Sequence, residues 1–220
     1  SDIRFEASGT TSLSIDNISI RKAEADRSVN NNGVSVYGTV TKTAVATGAD
    51  LVGYSGFSSS NYLVQPYNSD LDFGTGDFSF MVWLNMTNNA QTGIVMHRSA
   101  KNVGDSGFGG SGPIIQAEFN GTSLYGLVAT DAFNTAIGVN IPYANFPHGV
   151  WTHYSLVRSN GILSAYLNGK LYDSVANSLT TTNTSAKLYV GERPVATRPL
   201  YGKMALHRFS STAPTAEQIA

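Results

Sequence analysis

The stretch FSFMVWL, residues 78–84, decides the fold. Six of its seven residues are apolar, with aromatics at Phe78, Phe80 and Trp83, and turn-rich segments flank it (DFGTGD before, NMTNNAQ after). A short apolar run between turn signals is a buried strand or a piece of buried helix. The short length, the flanking glycines and the aromatic enrichment select the strand. Apolar side chains at both alternating positions imply cover on both faces, which predicts a central strand of a sandwich. Trp83 and Trp151, both in apolar strands, are expected in the core.

Working outward, the chain reads as further short strands. Residues 34–42 (VSVYGTVTK) alternate cleanly and predict one strand; 49–54 and 61–64 are shorter candidates. Beyond the central run come 93–97, then 114–120 and 123–129 as a hairpin across Asn120-Gly121. Residues 138–141, 151–158, 162–167, 170–175, 187–191 and 200–210 follow, with a second hairpin signal at Asn168-Gly169. Residues 101–113 hold five glycines but are followed by a strand, without the helix and closing lysine of a phosphate cradle, and read as a mobile surface loop. At the end, Thr215 with Gln218 three residues later matches a capping box, so a short C-terminal helix is expected to start there and be cut off.

Residues 1–26 are more densely charged than the body, and 12–20 (SLSIDNISI) read as a strand with an irregularity at Asp16-Asn17. The IDNI phrase resembles the closing strand of carbohydrate-binding-module jelly rolls, which makes 1–26 the remnant of a preceding β-sandwich. An ordinary first strand is the alternative. Residues 27–49 then form a linker and strand, 50–220 the main sandwich, and both termini read as interior points of a longer chain.

Composition narrows the function. Only 13% of the residues are charged, the net charge is −1 and no Lys/Arg cluster occurs, so nucleic-acid binding has no electrostatic footprint. No apolar run is long enough to insert in a membrane as a helix. With no cysteine, disulfides and thiolate chemistry are excluded.

Four segments, GDFSFMVW (76–83), WTHYSLVR (151–158), LSAYLNG (163–169) and GKMALHRF (202–209), together resemble the laminin-G-like, concanavalin-A-like lectin domains. With APTAEQI (213–219), the combination is similar to structural proteins of tailed-bacteriophage virions. The resemblance implies an all-β, two-sheet antiparallel jelly-roll sandwich. It also implies a binding face for sugars or proteins, often with calcium, and a virion or extracellular setting. The expected partners are a cell-surface glycan or neighbouring virion subunits, within a larger chain or an oligomer.

Catalysis is not expected. A glycosidase needs two carboxylates flanking the scissile bond, and the enzymatic relatives carry them as E-x-D-x-x-E or E-x-D-x-x-H. The one E-x-D, Glu24-Ala25-Asp26, lies outside the family core and has Val29 at the third position, while Glu118 is followed by Asn120. Alternative readings are a polysaccharide-cleaving enzyme using Glu118 or Asp131, or a pure scaffold. For glycan binding the candidates are Tyr125, Tyr166, Phe108 and Tyr143 as stacking rings, and Asn120 as a polar contact. No cofactor is required, although hard oxygen ligands admit calcium at the loop carboxylates Asp70, Asp72, Asp105 and Asp131. Against a family calcium site, the last strand reads Gly202-Lys203-Met204-Ala205, where many relatives have G-x-I-D.

Overall fold

The computed structural model describes residues 32–87, 92–102, 105, 112–195 and 198–219. The expected N-terminal remnant and most of the glycine-rich loop lie outside them. The described chain forms two seven-stranded sheets in which every strand pair is antiparallel.

The first sheet runs β1 (Ser35–Tyr37), β4 (Tyr62–Gln65), β13 (Lys187–Val190), β6 (Gly93–Ser99), β7 (Ile114–Phe119), β8 (Ser123–Ala129), β9 (Ala136–Pro142). The second runs β12 (Lys170–Ala176), β11 (Ile162–Leu167), β10 (Thr152–Ser159), β5 (Phe78–Met86), β14 (Gly202–Ser210), β3 (Val52–Ser55), β2 (Thr41–Ala44). The chain crosses repeatedly between sheets, as a jelly roll requires. The opening stretch is β5, fourth of seven in its sheet, and thus central.

Alternation along β5 sends Phe78, Phe80, Val82, Leu84 and Met86 into the space between the sheets, each essentially solvent-free. Val82 lies opposite Tyr154 and Phe80 opposite Leu156 on β10, while Leu84 faces Met204 on β14. From the other sheet, Leu63, Val95, Ile115, Ala117, Phe119, Leu188 and Val190 fill the same core. Burying each large side chain contributes about 1.5–3 kcal/mol.

The other face of β5 departs from expectation. Trp83 is 38% exposed on the face of β5 that points away from the other sheet, and its ring lies 5.2 Å from that of His153. Trp151 is half-buried, donating from Nε1 to the Val45 carbonyl and filling the space over Gly53. Neither tryptophan is a core residue of the sandwich.

Residues 34–42 are two strands in opposite sheets, not one. The chain turns at Gly38, whose φ of +66° is left-handed and whose Cα abuts the Asn61 side chain, leaving no room for a Cβ. The Asn61 Oδ1 accepts the Thr39 N–H and holds the turn. Elsewhere local signals hold. Asn168 (φ +49°) and Gly169 (φ +79°) form the left-handed pair of a tight hairpin turn, and Asn160-Gly161 repeats it between β10 and β11. The capping box also forms: Gln218 Oε1 accepts the Thr215 N–H at the head of α1 (Ala216–Ile219).

Two buried arginines pin the loops at residues 72–76 and 177–183. Arg158 donates from Nε to the Gly76 carbonyl, from Nη1 to Leu179 and from Nη2 to Gly74, and lies 5.0 Å from the Phe78 ring. Arg98 pairs with Asp72 and donates to the carbonyls of Thr181 and Asn183.

Candidate functional site

Along β4 and β13, Leu63, Leu188 and Val190 point into the core, so alternation puts Tyr62, Val64 and Tyr189 on the sheet's other face. Register sets Tyr37 opposite Tyr62, and Val64 opposite Tyr189. The Tyr37 and Tyr62 rings stack at 4.9 Å and 9°, and the Tyr189 ring tilts against Tyr62 at 6.3 Å. These rings, with Val64 and Pro66, wall a groove of about 400 Å³. Its polar lining comes from Ser35, Asn102 and Lys187.

Tyr37 offers its ring to solvent at 48% exposure, whereas Tyr62 and Tyr189 are buried behind it. The Tyr189 hydroxyl donates to the Lys101 carbonyl at 2.9 Å, and Lys187 Nζ donates to Asn102 Oδ1 at 2.6 Å. Burial pushes the Tyr189 phenol up to about 12, helped by its tyrosine neighbours, and burial also raises Tyr62. Both remain neutral hydrogen-bond donors through the physiological range. An apolar, aromatic cleft with a few convergent polar groups is the usual form of a small-ligand site.

Further along the same face, polar side chains are consumed internally. His97, opposite Tyr189, is fully buried between Gln116 Oε1 (2.6 Å) and Ser99 Oγ (2.8 Å). An amide oxygen only accepts, so Nδ1 carries the proton, and Nε2 accepts from the serine hydroxyl. Burial lowers its pKa to about 4, so the imidazole is neutral. Glu118 is ion-paired to Arg198 at 3.2 Å and Arg193 at 3.8 Å. Glu192 Oε1 accepts the backbone N–H groups of Arg193 and Arg198. Both glutamates are almost entirely buried.

Of the residues expected from sequence, Asn120 and Tyr143 meet at the β7–β8 turn, Tyr125 lies on β8 of the same sheet, and Tyr166 stands apart. Tyr125 is half-buried on β8 beside Glu118, its ring closing over Gly138. Tyr166 sits on β11, in the opposite sheet. Asn120 spends its Oδ1 inside the β7–β8 turn, accepting from the backbone and hydroxyls of Thr122 and Ser123. Tyr143 stacks on Phe119 at 5.8 Å, and its oxygen accepts the Gly121 N–H. Phe108 lies outside the described residues.

The four loop aspartates are dispersed. Asp72 is held by Arg98 and accepts from Tyr67 and the Asn183 N–H. Asp70 accepts from Asn32, Asp105 caps the Asn102 N–H, and Asp131 accepts the Gly112 N–H. Among the described residues no three acidic or histidine side chains gather as a metal site. Sequence reasoning missed Tyr37, Tyr62 and Tyr189. The available signal was KLYV and NYLVQ, where each tyrosine occupies the face opposite the leucines.

The jelly-roll sandwich with this aromatic groove has the fold of lectin-like domains. The chain belongs to the Concanavalin A-like lectin/glucanases superfamily, whose family model matches residues 57–220. No curated protein matches its sequence. Among solved structures it is similar to domain 4 of a GH43 extracellular arabinanase from Geobacillus stearothermophilus, in complex with arabinotriose. That likeness has TM-score 0.63 and 15% identity, over 87% of this chain and 89% of that one. It is also similar to the binding domain of Paraclostridial Mosquitocidal Protein 1 (TM-score 0.63, 15% identity, 88% of this chain and 47% of that one). A third is the binding domain of Botulinum Neurotoxin DC in complex with SialylT (TM-score 0.59, 14% identity, 85% and 44%). This chain thus spans just under half the length of those two toxin domains.

Proposed function

We propose that this domain binds a glycan without cleaving it, in the groove walled by Tyr37, Tyr62 and Tyr189. The observation that carries the reading is the exposed Tyr37 ring, held flat by its stack on Tyr62 beside the polar groups of Ser35, Asn102 and Lys187. The C–H face of a sugar packs on such a ring while its hydroxyls take the polar edge. Holding Tyr37 in place before binding reduces the ordering cost of association. The arabinotriose and SialylT complexes of the two structural neighbours support the same behaviour here.

Retention of the glycan intact follows from the carboxylates. Glu118 and Glu192, on the groove's side of the molecule, are buried and committed to arginines or backbone N–H groups, whereas glycoside hydrolysis needs a pair that reaches the scissile bond. Binding in this reading is independent of calcium. We further propose a virion-surface or otherwise extracellular setting, with neighbouring subunits as additional partners. The likeness of the strand segments and the C-terminal capping box to phage structural proteins supports it, and detection of the chain in purified particles tests it.

A glycan array tests the function itself, run in calcium and in chelator with the wild type and Tyr37→Ala. The expected result is binding in both buffers that the variant loses while keeping its melting temperature. No binding by folded protein, or equal binding by the variant, overturns the proposal.

A further inference from the structure

We propose, resting on the groove reading above, that the preferred ligand is an acidic glycan carrying a carboxylate or sulfate, recognised by Lys187. Among the described residues that line the groove, Lys187 bears the one formal charge, and no Asp or Glu is present. Its ammonium has three donors, of which Asn102 Oδ1 takes one. The others, together with the Tyr62 hydroxyl, which makes no hydrogen bond among the described residues, suit an anionic oxygen better than a sugar hydroxyl.

Two carboxylates outside the groove lining have fields that reach the tyrosines. Asp105 caps the N–H of Asn102 at the groove edge, and Glu192 accepts the Arg193 and Arg198 N–H groups under the positive charge of Arg193. Because burial keeps the Tyr62 and Tyr189 phenols protonated, no phenolate forms beside the ligand to repel an anion. Lys187 is half-buried along its stem, and its ammonium lies at the exposed edge of the groove, where an incoming anion can reach it.

The test is an array of matched pairs: uronate oligosaccharides beside their methyl esters, sialylated glycans beside desialylated ones, sulfated beside desulfated. Wild type should bind acidic members at least about tenfold more tightly than their neutral partners, with affinity falling as ionic strength rises. Lys187→Gln should abolish that preference and Lys187→Arg should keep it, which separates loss of charge from loss of fold. Which pairs respond identifies carboxylate or sulfate as the anion. Equal binding of acidic and neutral members, lost in Tyr37→Ala, overturns the acidic preference and leaves the groove reading standing. Absence of binding to every member by folded protein overturns both.

Discussion

Arg158 and Lys187 are both long cations set into the same sandwich, and their surroundings differ. Around Arg158 the fold uses up the side chain: three carbonyls from two loops take its donors and a phenyl ring lies nearby. Around Lys187 one amide takes one donor, and the neighbouring Tyr37 ring stacks on one side and faces water. Saturated polar groups hold loops in place; polar groups left partly unsatisfied beside an ordered aromatic wall are where a ligand is recognised.

The sharpest way to break this contrast is Arg158→Met. It strands the loop carbonyls away from their cation and should cost about 3–4 kcal/mol in urea unfolding. A loss under about 1 kcal/mol, the size of an ordinary surface change, would show that the arginine is not a structural pin.

The next effect is on pH dependence. His97 is neutral in both folded and unfolded chains above its unfolded pKa of about 6.5. As pH falls from there toward about 4, the unfolded chain takes a proton that buried His97 refuses. Stability should therefore be flat above about pH 7 and drop by about 1.4 kcal/mol per unit below 6.5, some 2 kcal/mol by pH 5. His153 and His207, also lowered by burial, add to the same fall. His97→Gln should make the decline shallower in melts recorded between pH 5 and 7; an unchanged slope would contradict the assignment.

On the groove side the sign reverses, with function lost and fold kept. Tyr37→Ala should weaken glycan binding at least about tenfold while shifting stability by no more than about 0.5–1 kcal/mol. The smallest effect belongs to Tyr154→Phe. Among the described residues the buried Tyr154 hydroxyl has no hydrogen-bond partner, so its removal should leave stability within about 1 kcal/mol of wild type, on the stabilising side.

What could be read from sequence was local. The apolar run at β5, the Asn-Gly turns at 120–121 and 168–169 and the capping box at Thr215 each depend on neighbours within a few residues, and each formed. The break at Gly38 was hidden because alternation continues through it; only the approach of Asn61 reveals the change of sheet. Trp83 was expected inside because an apolar run does not say which of its two faces meets the other sheet. The groove was the least legible feature. Its three tyrosines stand on β1, β4 and β13, and sheet order brings them together across more than a hundred residues of sequence. Tyr125 and Tyr143 were chosen in their place because loop and strand-edge position is visible in sequence, whereas the packing against Gly138 and Phe119 is not.

The most direct measurement is NMR shift mapping with the strongest glycan from the array. The account predicts perturbations centred on Tyr37, Tyr62, Ser35, Asn102 and Lys187. Perturbations centred instead on Tyr166 and the second sheet, or on the Tyr125–Tyr143 region, would contradict it.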